Sequence, residues 1–196
     1  MGWQAERLPH MIAFPKAWAD AVARLRVPSG FLIVIVFGWF SRPTPLSMAI
    51  GVPLSLLGLA LRAWAAGCLA KNRELATGGP YAYTRNPLYI GTLLVAAGLA
   101  AASRSIGLAA LFALVFLLVY LPVIQNEEQH LRKIFPAYAE YAERVPALVP
   151  RLTPGGGNKS NPFRFGLYLK NQEYQAGLGF LAGMLFLLWK VWESLG

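Results

Sequence analysis

The chain has 196 residues, of which 56% are hydrophobic, and its mean hydropathy of +0.46 excludes an ordinary soluble domain. Its 18 Lys and Arg against 9 Asp and Glu give a net charge of +9. Most of the basic residues fall on one side of the predicted membrane spans, a pattern typical of membrane proteins, so we predict no nucleic-acid partner. The single cysteine, Cys68, excludes an internal disulfide and a thiolate-built metal site. We therefore predict an integral membrane protein without a metal centre.

Five apolar runs predict an all-α polytopic fold of about five transmembrane helices. They lie at residues 31–40, 46–70, 88–102, 106–124 and 176–189. The second and fourth are long enough for a straight span, which needs roughly 20 residues, and the other three need residues from their flanks. With the N-terminus in the cytoplasm, fifteen of the eighteen basic residues fall inside, which predicts this orientation and an attraction to anionic lipid head groups. The two polar motifs described below also fall on that side, so the cofactor pocket that they predict is expected at the cytoplasmic face.

Composition divides the chain into three parts. Residues 1–28 mix aromatic and charged side chains and predict an interfacial helix. Residues 29–152 predict a core of four spans plus a cytoplasmic helix. Residues 153–196 predict a flexible glycine-rich linker, an interfacial segment and an additional span. Because the linker is expected to decouple the C-terminal segment from the core, the last span should be dispensable for cofactor binding.

Small and helix-bending residues predict how the second and third spans pack. Pro53 and Gly58 predict a kink or a close contact in the second span, and glycines and alanines at 91–102 give the third a small-residue face. The short links at 41–45 and 103–105 predict antiparallel hairpins. Arg62, late in the second span, is expected to snorkel to the head groups, which is the commoner case; the alternative is that it faces a polar cavity.

The first polar motif lies between the second and third spans. Residues 79–91 read GPYAYTRNPLYIG, and the Asn86–Pro87 pair predicts a helix that begins at Pro87 with Asn86 as its cap. An anionic group could dock at this helix start beside Arg85. A second interpretation remains open, a well-capped membrane helix with three interfacial anchors, Tyr81, Tyr83 and Tyr89.

The second polar motif, at residues 126–152, continues the fourth span. Glu127 and Glu128 lie roughly 100° apart on one helix, so only one can face a pocket, and we favour Glu128. The alternative is a solvated ion pair of Glu128 with Arg132. An aromatic stripe follows and predicts packing: Phe135, Tyr138 and Tyr141. His130 has no ligand partner at metal spacing, and we assign it no role.

The two motifs together bring an anion-accepting helix start, two carboxylates, several tyrosines and several arginines to one membrane surface. This set suits a zwitterionic or cationic ligand, with its carboxylate at the helix start and its positive centre near a Glu and a Tyr ring. S-adenosylmethionine is such a ligand.

In order and spacing, GPYAYTRNPLYIG followed by the paired Glu and by Arg-Val-Pro at 144–146 closely resembles the isoprenylcysteine carboxyl methyltransferases and their phospholipid methyltransferase relatives. The resemblance covers about residues 46–152. It implies an S-adenosylmethionine pocket with cofactor roles for Tyr81, Arg85, Asn86, Pro87, Tyr89, Glu127 and Glu128. Asn86 replaces the family's usual His and cannot titrate near neutral pH, so a base at this position is not expected.

The resemblance implies attack of an acceptor on the sulfonium methyl. The expected acceptor is a lipophilic small molecule or a prenylated carboxylate that enters from the lipid bilayer. The residues expected to act in catalysis are Arg144, which matches the family's Arg-Val-Pro, Arg132 and Glu128. Two alternatives remain open: an NADPH-dependent, sterol-reductase-like membrane enzyme, and a non-catalytic scaffold or small-molecule sensor.

Overall fold

Every regular element in the described part of the chain is helical, as predicted. The computed structural model describes Trp18 and residues 33–155 and 161–195; the predicted interfacial helix, apart from Trp18, and most of the glycine-rich linker lie outside them. The elements are α1 (residues 33–40), α2 (Pro45–Cys68), a 3₁₀ turn (Gly79–Ala82), α3 (Pro87–Ser103), α4 (Ile106–Val115), a π turn (Phe116–Tyr120), α5 (Leu121–Ile134), α6 (Tyr138–Arg144), α7 (Phe165–Lys170) and α8 (Tyr174–Leu195).

Within the described residues, three helices are long and apolar enough to cross a membrane. They are Pro45–Cys68, the continuous helix Ile106–Ile134 that comprises α4, the π turn and α5, and Tyr174–Ser194 within α8. Helix α3 is apolar but has only 17 residues, and the start of the first predicted span lies outside the described residues. Of the five predicted spans, three therefore meet the length that a membrane requires.

The helices define two ends of the bundle. At the loop end, the last turns of α2 and α5 meet the first turns of α3 and α8. At the far end, the link after α1 meets the link after α3, where the Arg42 backbone N–H donates to Ser103 O at 2.8 Å. Both polar motifs lie at the loop end, and its cytoplasmic orientation stays a prediction.

Helices α2 and α3 are in direct backbone contact. A Cβ atom added to Gly58 would lie 2.6 Å from the carbonyl oxygen of Gly91, and one added to Gly51 would lie 2.6 Å from the backbone nitrogen of Ala102. Between these points the Ser55 hydroxyl donates to Val95 O at 3.2 Å. The predicted small-residue contact is confirmed, and it fixes the start of α3 against the second half of α2.

Gly58→Ala is expected to lower the thermal stability of the protein, since overpacking of this kind typically costs about 1–3 kcal/mol. The matched control is Gly177→Ala in α8, where an added Cβ meets no atom within 4 Å. Better helix propensity should stabilise that control by up to about 1 kcal/mol. Thermal unfolding in detergent would compare the two, and equal shifts in the two variants would contradict the backbone contact.

The π turn in the Ile106–Ile134 helix is followed by Pro122. Proline has no N–H to donate to the carbonyl four residues earlier, which is Leu118 O. The Trp18 indole Nε1 donates to that oxygen at 3.3 Å. The backbone hydrogen bond that Leu118 O lacks is therefore partly replaced by a bond from a side chain that is 100 residues earlier in the sequence.

Residues after the glycine run are hydrogen-bonded to the core. Asn161 Oδ1 accepts from the backbone N–H groups of Thr77 and Gly78 at 3.0 and 2.9 Å. Asn171 Nδ2 donates, at 2.9 Å each, to two carbonyl oxygens near the end of α2. The expectation that the linker decouples the C-terminal segment from the core is therefore wrong for residues 161–171.

Candidate functional site

The first polar motif forms a tight loop that leads into α3. Gly79 has a φ of +58°, in the left-handed region where a side chain would be strained. Pro87 is the first residue of α3, as the Asn-Pro pair predicted. The loop therefore brings Arg85 and Asn86 to the N-terminus of that helix.

Arg85, Asn86 and Glu128 meet in a buried cluster at the loop end. Asn86 Nδ2 donates to Glu128 Oε1 at 3.1 Å, and Arg85 Nε lies 3.3 Å from the same oxygen. The side chains of Arg85 and Glu128 are only 10% and 4% exposed. The two motifs are thus joined through one carboxylate, as their predicted positions at one end of the bundle suggested.

The segment after α6 supplies backbone acceptors to the same cluster. The Arg85 backbone N–H donates to Pro146 O at 2.9 Å. Ala147 O accepts from Thr84 Oγ1 at 3.0 Å and from Asn86 Nδ2 at 3.1 Å. The closely spaced prolines of this segment, Pro146 and Pro150, indicate an extended chain with carbonyl groups free to accept.

Asn86 does not cap α3 with its side chain, contrary to the prediction. Its backbone lies at φ −125° and ψ 54°, and no side-chain bond to the first turn is formed. The physical reason is that its amide nitrogen donates to Glu128 and Ala147 instead. The first turn of α3 therefore has no side-chain cap and directs its dipole at the cluster.

The two carboxylates differ in burial: Glu127 is exposed and Glu128 is buried. That Glu128 faces a ligand pocket stays a prediction. The predicted ion pair of Glu128 with Arg132 is wrong, because the buried carboxylate turns inward to Arg85. Arg132 is exposed, and its guanidinium lies over the Tyr138 ring, 5.5 Å from the centroid.

The aromatic stripe packs beneath the cluster, as expected. The rings of Tyr138 and Tyr141 meet edge to face with centroids 5.9 Å apart, and the Tyr141 hydroxyl donates to Tyr81 O at 2.7 Å. Burial raises the pKa of Tyr138, and the nearby charge of Glu128 adds to the shift. Burial likewise raises the pKa of Tyr141 and of Tyr81. All three hydroxyls stay protonated at neutral pH and can donate.

Two buried polar atoms at this end have no hydrogen-bond partner among the described residues: the Tyr81 hydroxyl and Arg85 Nε. The 3.3 Å contact of Arg85 Nε with Glu128 is an ion pair without hydrogen-bond geometry. An unpaired buried donor costs about 1–3 kcal/mol, so these atoms mark a place where a ligand could bind.

Pro87 and Tyr89 are buried in the wall beside the cluster. The Tyr89 ring meets the Tyr120 ring edge to face, with centroids 5.9 Å apart, and both belong to an apolar cluster with Ile124. Tyr89 therefore lies inside the bundle, not at its surface as an interfacial anchor would.

Arg144 lies on the exposed side of α6. Its side chain is 47% exposed and pairs with Glu140 at 3.5 Å, one turn earlier on the same helix. No contact with the buried cluster is present among the described residues. The expected roles of Arg144 and Arg132 in holding an acceptor stay predictions.

A second polar cluster lies nearby, around Arg62. Arg62 Nε and Nη2 bind the two carboxylate oxygens of Glu173 at 2.5 and 3.0 Å. Arg62 Nη1 also donates to Thr92 Oγ1 and, at 3.4 Å, to Leu88 O. The snorkelling expected of Arg62 is therefore wrong, because its partners lie inside the bundle. Two signals in the sequence were Arg62, a charge inside an apolar run, and Glu173, an acidic residue just before the apolar run at 176–189.

Residues 59–138 match the model of the phospholipid methyltransferase family. The match begins within α2 and ends at the first residue of α6, so it contains Arg85, Asn86 and Glu128. The helices and this match define a class: a helical membrane protein with a core similar to the membrane methyltransferases. No solved structure matches the chain.

Two curated relatives are similar to more than half of the chain. The cobalt-zinc-cadmium resistance protein CzcN of Cupriavidus metallidurans is 43% identical over 106 residues, which cover 53% of this chain and 48% of the relative. The nickel-cobalt-cadmium resistance protein NccN of Alcaligenes xylosoxydans xylosoxydans is 38% identical over 136 residues, which cover 65% of this chain and 62% of the relative. The chain thus spans about half to three fifths of their lengths. Both names describe resistance to metals, and neither names a reaction.

Proposed function

We propose that the chain is an S-adenosylmethionine-dependent methyltransferase that acts on a lipophilic acceptor at the membrane, of the isoprenylcysteine carboxyl or phospholipid methyltransferase type. The observation that carries the proposal is the buried cluster of Arg85, Asn86 and Glu128. The two motifs of the resemblance meet there, within the residues similar to the phospholipid methyltransferases.

The residues around the cluster fit the polar groups of this cofactor. Arg85 Nε and the Tyr81 hydroxyl are buried without hydrogen-bond partners among the described residues, and the first turn of α3 lacks a side-chain cap. These groups would hold the cofactor's carboxylate. Glu127, exposed and adjacent to the cluster, would supply negative charge for a cationic centre, and the buried Pro87 and Tyr89 would form the apolar wall.

S-adenosylmethionine, when bound, supplies a methyl group on a positively charged sulfur. Glu128 would act as a positioning residue, because its carboxylate fixes both Arg85 and Asn86. An acceptor carboxylate is already ionised at pH 7 and needs no general base, so the protein would contribute orientation and exclusion of water. Arg144 and Arg132, both exposed near the cluster, would attract an anionic acceptor.

Thermal unfolding of the detergent-purified protein with four candidate ligands tests the proposal. S-adenosylmethionine and S-adenosylhomocysteine are expected to stabilise it, by about 2.7 kcal/mol at one hundred times the dissociation constant. NADPH and NADH should leave the midpoint unchanged. Stabilisation by NADPH alone would support the reductase alternative. Binding of S-adenosylmethionine without transfer of its labelled methyl group to a membrane lipid extract would support the scaffold or sensor.

A further inference from the structure

An apolar cavity of about 920 Å³ lies between α1, α2, α3, α4 and α8. This volume falls within the range of about 300–1,000 Å³ that ligand sites occupy. Its walls are glycines and apolar side chains apart from three residues at the loop end: Arg62, Thr92 and Tyr120. The cavity therefore has a long apolar part and one polar end, which is the shape of a site for an amphiphile.

The polar end carries charge but is neutral overall. The Glu173 carboxylate is only 9% exposed, and it binds the Arg62 guanidinium through both of its oxygens. Thr92 Oγ1 accepts from the same guanidinium and donates to Leu88 O at 3.0 Å. An ionised head group placed here would lose its hydration beside a pair that is already neutralised. An uncharged hydroxyl or amide can instead hydrogen-bond to Arg62 or Thr92, which line the cavity.

The same end adjoins the candidate cofactor site. Thr92 follows Asn86 by six residues on α3, a distance of about 9 Å along the helix axis. Tyr120, which lines the cavity, contacts Tyr89 in the first turn of α3. The head of a molecule in the cavity would therefore lie about two helical turns from the buried cluster.

Much of the cavity wall comes from outside residues 59–138, the part similar to the phospholipid methyltransferases. Helix α1 contributes residues from 33 to 38, and α8 contributes residues from 176 to 186. Gly179 and Gly183 of α8 line the cavity, and a Cβ added to either would meet no atom within 4 Å. The size of the cavity thus depends on features of this chain that the similarity does not cover.

We propose that this cavity binds the apolar chain of the methyl acceptor, an amphiphile whose polar head is uncharged and lies against Arg62 and Thr92, while Glu173 neutralises the charge of Arg62. The identification of this amphiphile as the methyl acceptor rests on the proposed function. The claim that an amphiphile binds in the cavity does not. The neutral polar end narrows the acceptor class to uncharged heads on a long apolar chain, and so disfavours the carboxylate that the resemblance implies. Transfer to such a head would form a bond from its oxygen or nitrogen to the methyl carbon and break the methyl–sulfur bond. S-adenosylhomocysteine would leave, and the proton of the head group would pass to water.

Photo-crosslinking of the full chain in phosphatidylcholine nanodiscs tests the cavity. The probe is dodecanol carrying a diazirine near the end of its chain, and peptide mass spectrometry locates the label. Labelling is expected on α3, α4 and α8 residues that line the cavity, and Gly183→Leu should reduce it at least about fivefold by filling the space. The control is Gly177→Leu, also in α8 but not part of the lining, which should label like the parent. Equal labelling of both variants would overturn the proposal.

The matched dodecanoate probe at pH 8, where its carboxyl group is ionised, tests the head group. The parent should label more strongly with dodecanol, and Glu173→Gln should reverse the preference by about tenfold because it leaves Arg62 uncompensated. Equal labelling of the parent by both probes would overturn the uncharged head.

Binding of S-adenosylhomocysteine to the same proteins reports on the proposed function separately. Gly183→Leu should leave this affinity within about twofold, since no cofactor residue contacts Gly183. A parent that labels in the cavity but binds no S-adenosylhomocysteine would overturn only the proposed function. If Gly183→Leu lost both the labelling in the cavity and the binding of S-adenosylhomocysteine, the separation of the two sites would be overturned.

Discussion

Glu128→Gln is expected to weaken S-adenosylhomocysteine binding by about 1.5–3 kcal/mol, or roughly 10- to 150-fold. The substitution keeps an acceptor for Asn86 Nδ2 but leaves the Arg85 guanidinium, 10% exposed, without its counter-charge. The misplaced Arg85 and Asn86 would then no longer present their donors at the start of α3. Isothermal calorimetry on the folded, monodisperse fraction would measure the loss.

Glu127→Gln is the comparison, because Glu127 is the exposed neighbour on the same helix and would act only on the cofactor's positive centre, which S-adenosylhomocysteine lacks. Its effect on the same affinity should stay under about 1 kcal/mol. Glu128→Gln should reduce the affinities for S-adenosylmethionine and S-adenosylhomocysteine equally, since the Glu128 charge is balanced by Arg85 and not directed at the ligand. A loss of affinity for S-adenosylmethionine alone would show that the Glu128 carboxylate contacts the ligand's positive charge directly. Binding like the parent's in both variants would remove the cluster from the site.

Local signals were enough to predict the helices and one face of the site. The start of α3 at Pro87 follows from the chemistry of proline at the first helical position, which needs no tertiary partner. The division of Glu127 from Glu128 follows from the 100° step of an α-helix, and the close packing of Gly58 on Gly91 from the absence of side chains.

The contacts that sequence reasoning missed are long-range and depend on which groups the fold brings together. Asn86 was expected to accept from its own helix, but it donates to Ala147 and Glu128, 61 and 42 residues later. Arg62 was expected to reach lipid head groups, but Glu173 lies 111 residues later in the chain and beside it in space. No period or motif encodes such pairs, because each partner alone is an ordinary polar residue near a helix end.

The two polar clusters share α3, which suggests how binding at one could affect the other. Arg85 and Asn86 precede its first turn, and Arg62 donates to Leu88 O within that turn and to Thr92 one turn later. Glu173, immediately before α8, binds the same Arg62. At the far end, Lys190 donates to Gly38 O and Ser41 O at 2.7 and 2.8 Å and so attaches α8 to α1. Helix α8 is therefore held at both ends, with the cavity between.

Glu173→Gln is expected to lower the free energy of unfolding by about 3 kcal/mol, near the low end for a broken buried ion pair because Arg62 is 23% exposed. The matched control is Glu74→Gln, which breaks the pair with Arg164 at 2.7 Å. Those side chains are 53% and 52% exposed, so its loss should cost under about 1 kcal/mol.

Adding Arg62→Met to Glu173→Gln should restore part of the stability, since no uncompensated charge then remains inside the bundle. A double-mutant cycle from thermal unfolding should give a coupling energy of at least about 1 kcal/mol for this pair and near zero for Arg164 and Glu74. Additive losses at Arg62 and Glu173 would mean that the two side chains are independently solvated. In that case α8 would not be held to α2 by charge, and the cavity's polar end would not be neutral.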